Sequence, residues 1–304
     1  MKRTEFLDRL AAIRRWKSGG QRAPHKPLLL LLALARVQRG EDRLVPFTEV
    51  EERLERLLVD FGPPRKSHHP EYPFWHLRSD GLWTLEGMDD VADLEGSPSK
   101  SVLRSGVEGG FPREIDDLLR EDSSLISVAA RTVLDEHFAP TLHEDLQTAV
   151  GLVIESGLAA GKKRDPNFRL EVLRAYEYRC AMCGYDGQLE TTSLGVEAAH
   201  VRWWAYGGAD DLSNALALCA LHHRAFDGGA ISLDVDGRMM VTRLFRGGST
   251  TKRLILDLHG RSATRPQAGL DGPSEPNLRW HHEEVFKGPA RMAAAAEGSE
   301  AYDS

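Results

Sequence analysis

Apolar side chains recur at helical spacing through the first sixty residues of the chain. The first predicted helix carries the apolar face Phe6, Leu10, Ile13 and Trp16. Glycines and prolines interrupt the pattern before Pro27, which suits the first turn of a second helix containing the leucine run at 28–32. A third helix is predicted over 47–61, with Thr48 as its cap.

The pattern changes after the third helix. Residues 74–77 and 82–85 flank the sequence Arg-Ser-Asp-Gly, which is typical of a hairpin turn. Three helices followed by a hairpin resemble a winged-helix module, which is a common reader of nucleic acid, and fit a small α+β core equally well. Residues 96–112 are rich in Gly and Ser, so we expect a long loop there.

Helical patterns resume from residue 112 and continue to residue 160. Residues 159–169 have the composition of a linker, so we place a boundary near residue 161. The sequence from 262 onward is rich in Pro, Gly, Ala and acidic residues, which favours a partly mobile tail. We therefore expect an α+β protein. Its predicted parts are an N-terminal domain at 1–160, a second domain at 161–261 and a tail at 262–304.

Composition limits the class of protein. The 304 residues suffice for about two domains, and 41% hydrophobic with 28% charged residues excludes whole-chain disorder. The net charge of −7 argues mildly against a nucleic-acid-binding protein. Net charge averages over domains, however, and acidic clusters at 86–95 and 114–122 leave room for a basic surface elsewhere. The longest apolar run is too short to span a membrane and the N-terminus lacks a signal-peptide core, so we expect a cytoplasmic protein.

Three cysteines cannot form a fully paired disulfide framework, and their spacing suggests metal binding instead. Cys180 and Cys183 form a C-x-x-C pair, and Cys219 with His222 forms C-x-x-H further on. Four ligands of these types suit tetrahedral Zn²⁺. A buried cysteine pair with surface histidines is the plainer alternative, and two paired spacings rarely coincide by accident. A redox C-x-x-C is disfavoured because the strand-helix pattern of a thioredoxin fold does not surround it.

Three further polar residues are interleaved with the cysteine pairs. His200 ends a predicted strand, Asn214 precedes an apolar run, and His223 lies in the following helix. The order of strand, loop and helix between two zinc-binding pairs resembles the HNH nuclease family, which has a ββα-metal fold. The resemblance covers 175–235 and includes a family spacer, whose residues here are Gly207, Gly208, Asp210 and Asn214.

The resemblance implies a role for each matching residue. His200 matches the general base that takes a proton from the attacking water, and Asn214 matches the residue that orients it. His223 matches a ligand of a catalytic divalent cation, Mg²⁺ or Mn²⁺, while the zinc would be structural. Many relatives carry an acidic ligand directly before the first histidine, where this chain has Ala199. Glu197 is the candidate substitute ligand. Asp227, a further acidic residue near the end of the same helix, is a second candidate helper.

Two N-terminal motifs carry a second resemblance. The sequences R-A-P-H-K-P-L-L-L-L at 22–31 and Y-P-F-W-H-L at 72–77 are similar to the sulfur-binding domain of McrA-like restriction endonucleases, which recognise phosphorothioated DNA. The resemblance covers 1–160 and implies an apolar cup for sulfur built from Tyr72, Pro73 and His76. Many relatives have a smaller residue at the last position. Without the resemblance, a hydrophobic core strand is the better interpretation of 72–77.

Basic residues near these motifs are candidates for contact with DNA. Arg22, His25 and Lys26 lie on a proline-bracketed turn and can reach base edges or phosphates. Lys100 and Arg104 lie in the predicted Gly/Ser-rich loop. Any one of these charges taken alone is more often a solvated surface group.

The two resemblances together imply a type IV restriction endonuclease that binds phosphorothioated double-stranded DNA and cleaves it nearby. An HNH nuclease directed at another modification, such as methylcytosine, is one alternative. A zinc-containing DNA-binding regulator without cleavage is another, although it would have no use for His200, Asn214 and His223. A monomer has one HNH site, so double-strand cutting would suggest a homodimer.

Overall fold

A computed structural model of the chain describes residues 1–13, 22–87, 98–154 and 167–292. It divides the chain into two compact units. Unit 1 contains Met1–Pro166 with Arg202–Asp210, and unit 2 contains Asn167–Val201 with Asp211–Ser304. The predicted boundary near residue 161 falls outside the described residues.

Unit 1 is mainly helical. Its helices are α1 (Arg3–Ala11), α2 (His25–Gln38), α3 (Phe47–Phe61), α4 (Glu71–His76), α5 (Lys100–Arg104), α6 (Arg113–Glu121), α7 (Ser123–His137) and α8 (His143–Val150). Its strands are β1 (Val45–Pro46), β2 (Thr84–Glu86) and β3 (Glu108–Gly110), which form an antiparallel sheet in the order β1-β3-β2. The three helices predicted at the N-terminus are present. The first ends at Ala11, before Ile13 of its predicted apolar face, and Trp16 lies outside the described residues.

Helix α2 is the centre of unit 1. Nearly all its side chains from Pro27 to Ala35 are buried, because α3, α4, α6, α7 and α8 pack around it. A helix that is apolar on all sides is stable in water only when it is surrounded in this way. Helix α3 is amphipathic and buries Leu54 and Leu58 on one side. The leucine run therefore supplies the core on which the surface elements of unit 1 rest.

Three local predictions in unit 1 were wrong. Helix α3 begins at Phe47 after Pro46, so Thr48 lies inside the helix and is not its cap. Residues 74–77 form the end of helix α4 and the start of a 3-10 turn over Leu77–Asp80, not a strand. A four-residue apolar run has the same composition in a buried helix as in a strand, so its periodicity could not separate the two. The predicted loop at 96–112 contains α5 and β3, while residues 96 and 97 lie outside the described part. A Cβ on Gly110 would lie 2.0 Å from the carbonyl oxygen of Arg43, so this glycine permits close strand packing.

Unit 2 contains short strands and helices. Its helices are α9 (Phe168–Ala175), α10 (Ala220–Asp227), α11 (Ser249–Leu254) and α12 (Glu275–Glu284). Its strands are β4 (Gln188–Leu189), β5 (Thr192–Ser193), β6 (Val196–His200), β7 (Ala215–Cys219), β8 (Ile231–Leu233) and β9 (Met239–Val241), paired antiparallel as β4-β5, β6-β7 and β8-β9. Helix α10 follows β7 directly and packs against β6 and β7. The predicted mixed α+β class is confirmed.

The described part of the predicted, partly mobile tail contains folded elements. Residues 262–292 form part of unit 2, and helix α12 buries Leu278, Trp280 and His281. The His281 ring stacks on Phe226 with centroids 3.6 Å apart, and its Nδ1 lies 2.9 Å from Ser232 Oγ. The segment is rich in Pro, Gly, Ala and acidic residues, so its composition gave no sign of the few buried side chains of α12. Residues 293–304 lie outside the described part, and none of the described helices is long and apolar enough to cross a membrane.

Candidate functional site

The four predicted zinc ligands come together in unit 2. Cys180 and Cys183 lie between α9 and β4, Cys219 ends β7, and His222 is in the first turn of α10. Their ligand atoms all lie within 4.8 Å of one another. The Cys183 and Cys219 Sγ atoms are 4.0 Å apart, and His222 Nδ1 lies 3.1 Å from Cys219 Sγ. Tetrahedral zinc with Zn–S bonds of about 2.3 Å would separate sulfur atoms by about 3.8 Å, so the cluster fits such an ion.

The surroundings orient the histidine of this cluster. His222 Nε2 lies 2.9 Å from the carbonyl oxygen of Leu254 and donates to it, so Nδ1 is the ring nitrogen that faces the cysteine sulfurs. Burial disfavours the protonated imidazole, but hydrogen bonds with Cys180 and Cys219 outweigh it and raise the pKa of His222 to about 10. Hydrogen bonds from the Cys183 and Cys219 thiols hold the pKa of Cys180 below its usual range. Thiolate character at Cys180 is what a metal ligand requires.

His200 and Asn214 lie side by side at one end of the β6-β7 ladder. His200 is paired in register with Ala215, and Val201 N donates to the carbonyl oxygen of Asn214 at 2.9 Å. Asn214 is fully buried, whereas His200 is partly exposed. The His200 ring stacks on Phe168 of α9 with centroids 4.4 Å apart and an interplanar angle of 19°. This fixes the plane of the imidazole, and the sequence alone did not identify Phe168 as its partner.

His223 lies between two carboxylates. Its Nδ1 is 2.6 Å from Glu197 Oε2, and its Nε2 is 3.3 Å from Asp227 Oδ2. Burial would lower the pKa of His223, but Asp227 and Glu197 raise it to about 9. Ala199 is buried and offers no ligand, while strand alternation puts Glu197 on the same face of β6. Imidazole nitrogen and carboxylate oxygen form a donor set that suits a hard divalent cation.

The three residues of the predicted sulfur cup lie on one helix. Tyr72, Pro73 and His76 occupy positions i, i+1 and i+4 of α4, so the first and last share a face of the helix. Tyr72 is 46% exposed, Pro73 is buried and His76 is exposed. The ring centroids of Tyr72 and His76 are 6.4 Å apart in an edge-on arrangement. The helix brings these residues together, where the sequence had suggested a strand.

The basic residues at the start of α2 have partners within unit 1. Lys26 Nζ lies 2.5 Å from Asp80 Oδ2. Arg22 is buried, donates to the carbonyl oxygen of Phe61 at 2.6 Å, and places its guanidinium 4.0 Å from the centroid of the Trp203 ring. Their predicted contacts with DNA, and that of His25, stay predictions.

Lys100 and Arg104 lie in helix α5 and neutralise a buried carboxylate. Arg104 donates to both oxygens of Glu51, at 2.7 and 2.8 Å, and Lys100 Nζ lies 3.2 Å from Glu51 Oε1. Glu71, directly before the cup, is also buried, and His69 stacks on Tyr72. The sequence analysis passed over these acidic and histidine residues. The run His-His-Pro-Glu at 68–71, directly before Tyr72, was the available signal.

Comparisons with known proteins agree with the two halves of this picture. Residues 3–155 match the family model described as ScoMcrA-like, DNA sulfur-binding domain, and residues 180–234 match the HNH endonuclease model. None of the curated proteins matches the chain significantly.

Several solved structures are similar to parts of the chain. The sulfur binding domain of ScoMcrA complexed with phosphorothioated DNA is 23% identical, with 48% of this chain and 98% of that chain covered and a TM-score of 0.42. The corresponding domain of SprMcrA, also complexed with phosphorothioated DNA, is 27% identical over 50% of this chain and 95% of that chain, with a TM-score of 0.43. The restriction endonuclease ScoMcrA is 21% identical over 52% of this chain, with a TM-score of 0.40. The match covers only 32% of the ScoMcrA chain.

The first family model covers half of the chain, and the second covers the β6-β7-α10 region with its cysteine and histidine residues. The chain belongs to the ScoMcrA-like DNA sulfur-binding domain family and carries a metal-dependent HNH endonuclease domain after its sulfur-binding domain.

Proposed function

We propose that this protein is a type IV restriction endonuclease that recognises phosphorothioated double-stranded DNA and hydrolyses phosphodiester bonds nearby. The observation that carries the proposal is the presence, in one chain, of a DNA sulfur-binding domain and an HNH endonuclease domain. HNH chemistry acts on the sugar-phosphate backbone, which carries no sequence information directly, so another domain must choose the substrate.

Sulfur recognition is assigned to the exposed face of α4. A phosphorothioate sulfur is larger, more polarisable and less strongly hydrated than the oxygen it replaces. The exposed rings of Tyr72 and His76, with the buried Pro73 next to Tyr72 in the helix, can therefore accept sulfur, whereas an oxygen at the same place would lose its water without a replacement hydrogen bond. Five basic residues are proposed to assist through contacts with bases or phosphates: Arg22, His25, Lys26, Lys100 and Arg104. Lys26, Lys100 and Arg104 would have to leave the carboxylates that they now pair with.

Hydrolysis is assigned to the end of the β6-β7 ladder. His200 accepts a proton from the attacking water, and the stacked ring of Phe168 holds the plane of its imidazole. Asn214 is buried behind the strand end, and its backbone bond to Val201 holds the loop that orients His200.

The metal assignments follow from the two donor sets. Cys180, Cys183, Cys219 and His222 are proposed to hold structural Zn²⁺, for which three sulfurs and one nitrogen are suitable ligands. His223 and Glu197 are proposed to hold catalytic Mg²⁺ or Mn²⁺, with Asp227 orienting the imidazole. A divalent cation at that site supplies positive charge that stabilises the scissile phosphate and the departing oxygen.

The proposal extends to the overall arrangement. We also propose a winged-helix-like reading domain: the three N-terminal helices are followed, after α4, by the antiparallel strands β2 and β3, which have α5 between them. A homodimer would supply two HNH sites for cutting both DNA strands. The expected location is the cytoplasm, where the DNA substrate is found.

A plasmid cleavage assay tests the function. Phosphorothioated plasmid should be cut in the presence of Mg²⁺ or Mn²⁺, and the same plasmid without the modification should stay intact. A third plasmid, which carries methylcytosine but no sulfur, distinguishes a phosphorothioate-dependent nuclease from one directed at methylcytosine. If only the methylated plasmid is cut, the protein is a nuclease directed at methylcytosine and not at phosphorothioate. If the protein binds phosphorothioated DNA but cleaves it with neither cation, it is a DNA-binding regulator.

A further inference from the structure

A second aromatic ring supports Tyr72 from one side. The His69 and Tyr72 rings are stacked almost parallel, with centroids 4.6 Å apart and an interplanar angle of 9°. The backbone joins the same two residues, because Tyr72 N donates to the carbonyl oxygen of His69 at 3.1 Å. The stack is therefore part of the turn that begins helix α4.

The His69 ring is itself held at both nitrogen atoms. Its Nδ1 lies 2.8 Å from Glu71 Oε1, and since a carboxylate only accepts hydrogen bonds, Nδ1 carries the hydrogen. Its Nε2 lies 3.1 Å from Ser67 Oγ. Two in-plane hydrogen bonds on opposite sides of the imidazole fix the plane against which Tyr72 packs.

Glu71 is anchored in turn from within unit 1. It is only 7% exposed, and its second carboxylate oxygen lies 3.8 Å from Lys100 Nζ. Lys100 also pairs with Glu51, whose other partner is Arg104. A chain of charged groups thus connects the stacked rings to helices α3 and α5.

The arrangement leaves Tyr72 fixed and still available. His69 covers one face of the Tyr72 ring and His76 contacts the ring edge-on, yet 46% of Tyr72 remains exposed. A ring already fixed in its binding conformation loses less freedom when a ligand contacts it. This smaller entropy cost increases the affinity for the ligand that contacts the ring, which under the proposed function is the phosphorothioate.

We propose that His69 is a positioning residue for sulfur recognition, holding the Tyr72 ring by stacking so that its open face is presented to the phosphorothioate. The inference rests on the proposed function of the α4 surface. His69 lies outside the predicted cup of Tyr72, Pro73 and His76. Its ring positions Tyr72 by stacking, and its hydrogen bonds to Glu71 and Ser67 only orient that ring.

Two substitutions separate stacking from hydrogen bonding. His69→Phe keeps an aromatic ring and loses the bonds to Glu71 and Ser67, while His69→Gln keeps an amide donor for Glu71 and loses the ring. Dissociation constants of the full chain would be measured at one salt concentration for a phosphorothioated duplex and the same unmodified duplex. His143→Gln, which changes a half-buried histidine of α8, is the matched control.

The ratio of the two dissociation constants is the readout. His69→Gln should lower the preference for sulfur by about 3- to 10-fold, with nearly unchanged affinity for unmodified DNA. His69→Phe should stay within about twofold of the wild-type ratio. Thermal melting of each variant verifies that it is folded.

Other outcomes overturn the inference. A preserved ratio in His69→Gln with a reduced ratio in His69→Phe would assign the effect to hydrogen bonding, and equal losses in both would leave no role for stacking. Unchanged ratios in both variants would remove His69 from recognition altogether. Equal binding of the two duplexes by the wild-type chain would instead refute the proposed sulfur-binding function, which is a distinguishable result.

Discussion

The two units support their functional residues in different ways. In unit 1, helix α4 packs on a core built around the buried leucines of α2 and leaves Tyr72 and His76 exposed, so substitutions of these two side chains should cost little stability. In unit 2, the predicted catalytic residues lie on a two-stranded ladder and one short helix, beside four side chains that could together hold a metal ion. The exposed residues of the predicted sulfur cup can therefore be changed with little effect on folding, whereas the candidate site of unit 2 lies next to side chains whose loss is expected to affect the fold.

The units also differ in how they compensate carboxylates. Glu51 in unit 1 is neutralised by Arg104 and Lys100, whose charges are permanent at neutral pH. Glu197 and Asp227 in unit 2 share a single imidazole, His223. An imidazole can release its proton when a cation binds, whereas a guanidinium cannot. The charges around Glu51 are therefore fixed at neutral pH, whereas the proposed metal site of unit 2 contains a group that can lose its proton when a cation binds.

The largest effect should follow from breaking the metal cluster of unit 2. Cys183→Ser removes one of four ligands, so the zinc content of purified protein should fall from about one equivalent towards zero. Unit 2 should lose stability on the order of several kcal/mol, because metal binding is coupled to folding. Metal analysis and thermal unfolding measure both quantities. Thr191→Ala, in the exposed turn between β4 and β5, is the control, and a zinc-free protein with normal melting would contradict the assignment.

The next largest effect separates chemistry from binding within unit 2. His200→Ala should lower the cleavage rate by about 10²- to 10⁴-fold, because the general base is lost. DNA affinity should change little, since the imidazole acts on water. Single-turnover cleavage and a binding titration test this, with His282→Ala in α12 as an exposed histidine control. Near wild-type cleavage by His200→Ala would remove it from the mechanism.

A smaller effect is expected from the surface of unit 1. An apolar contact and avoided desolvation of about 1–3 kcal/mol would give the wild type about 5- to 150-fold preference for phosphorothioated DNA. Tyr72→Ala should bring that ratio close to one without unfolding the protein. Lys26→Ala should weaken binding to both duplexes instead. Titrations at fixed salt give the ratio of the dissociation constants for unmodified and phosphorothioated DNA. Val59→Ala, on the exposed side of α3, is the control. An unchanged ratio in Tyr72→Ala would exclude the proposed cup.

A further effect in unit 1 depends on pH. Burial, followed by the neighbouring His68 and His69, lowers the pKa of His25 from 6.5 to about 4. Between these values the unfolded chain takes up a proton that the folded chain does not, so stability present above pH 6.5 is lost as pH falls towards 4. The loss should reach about 2 kcal/mol at pH 5. Urea unfolding at pH 7 and pH 5 measures this loss, and the difference between the two pH values should become smaller in His25→Gln. Parallel curves for wild type and His25→Gln would contradict this account.

Much of the molecule could be predicted from short-range patterns. The leucine run indicated the buried helix α2, and the strand, loop and helix order around His200 and His223 is present as β6, β7 and α10. The paired spacing of Cys180 and Cys183 with Cys219 and His222 anticipated the cluster that the structure assembles. Such features depend on residues a few positions apart, where the geometry of a turn or helix relates spacing directly to position.

The sequence by itself determined the types of side chain available, the buried helix of unit 1 and the ligand set of unit 2. Only the tertiary structure decided that Arg104 pairs with Glu51, and that Phe168 stacks on His200. The same holds for helix α12, which anchors a segment whose composition suggested a mobile tail. Partners such as Arg104 and Glu51 are far apart along the chain, and their contact depends on how whole elements pack. A local sequence pattern does not specify that packing. The same charged residue can face solvent or pair with a distant residue, and the same apolar residue can lie in the core or at the surface.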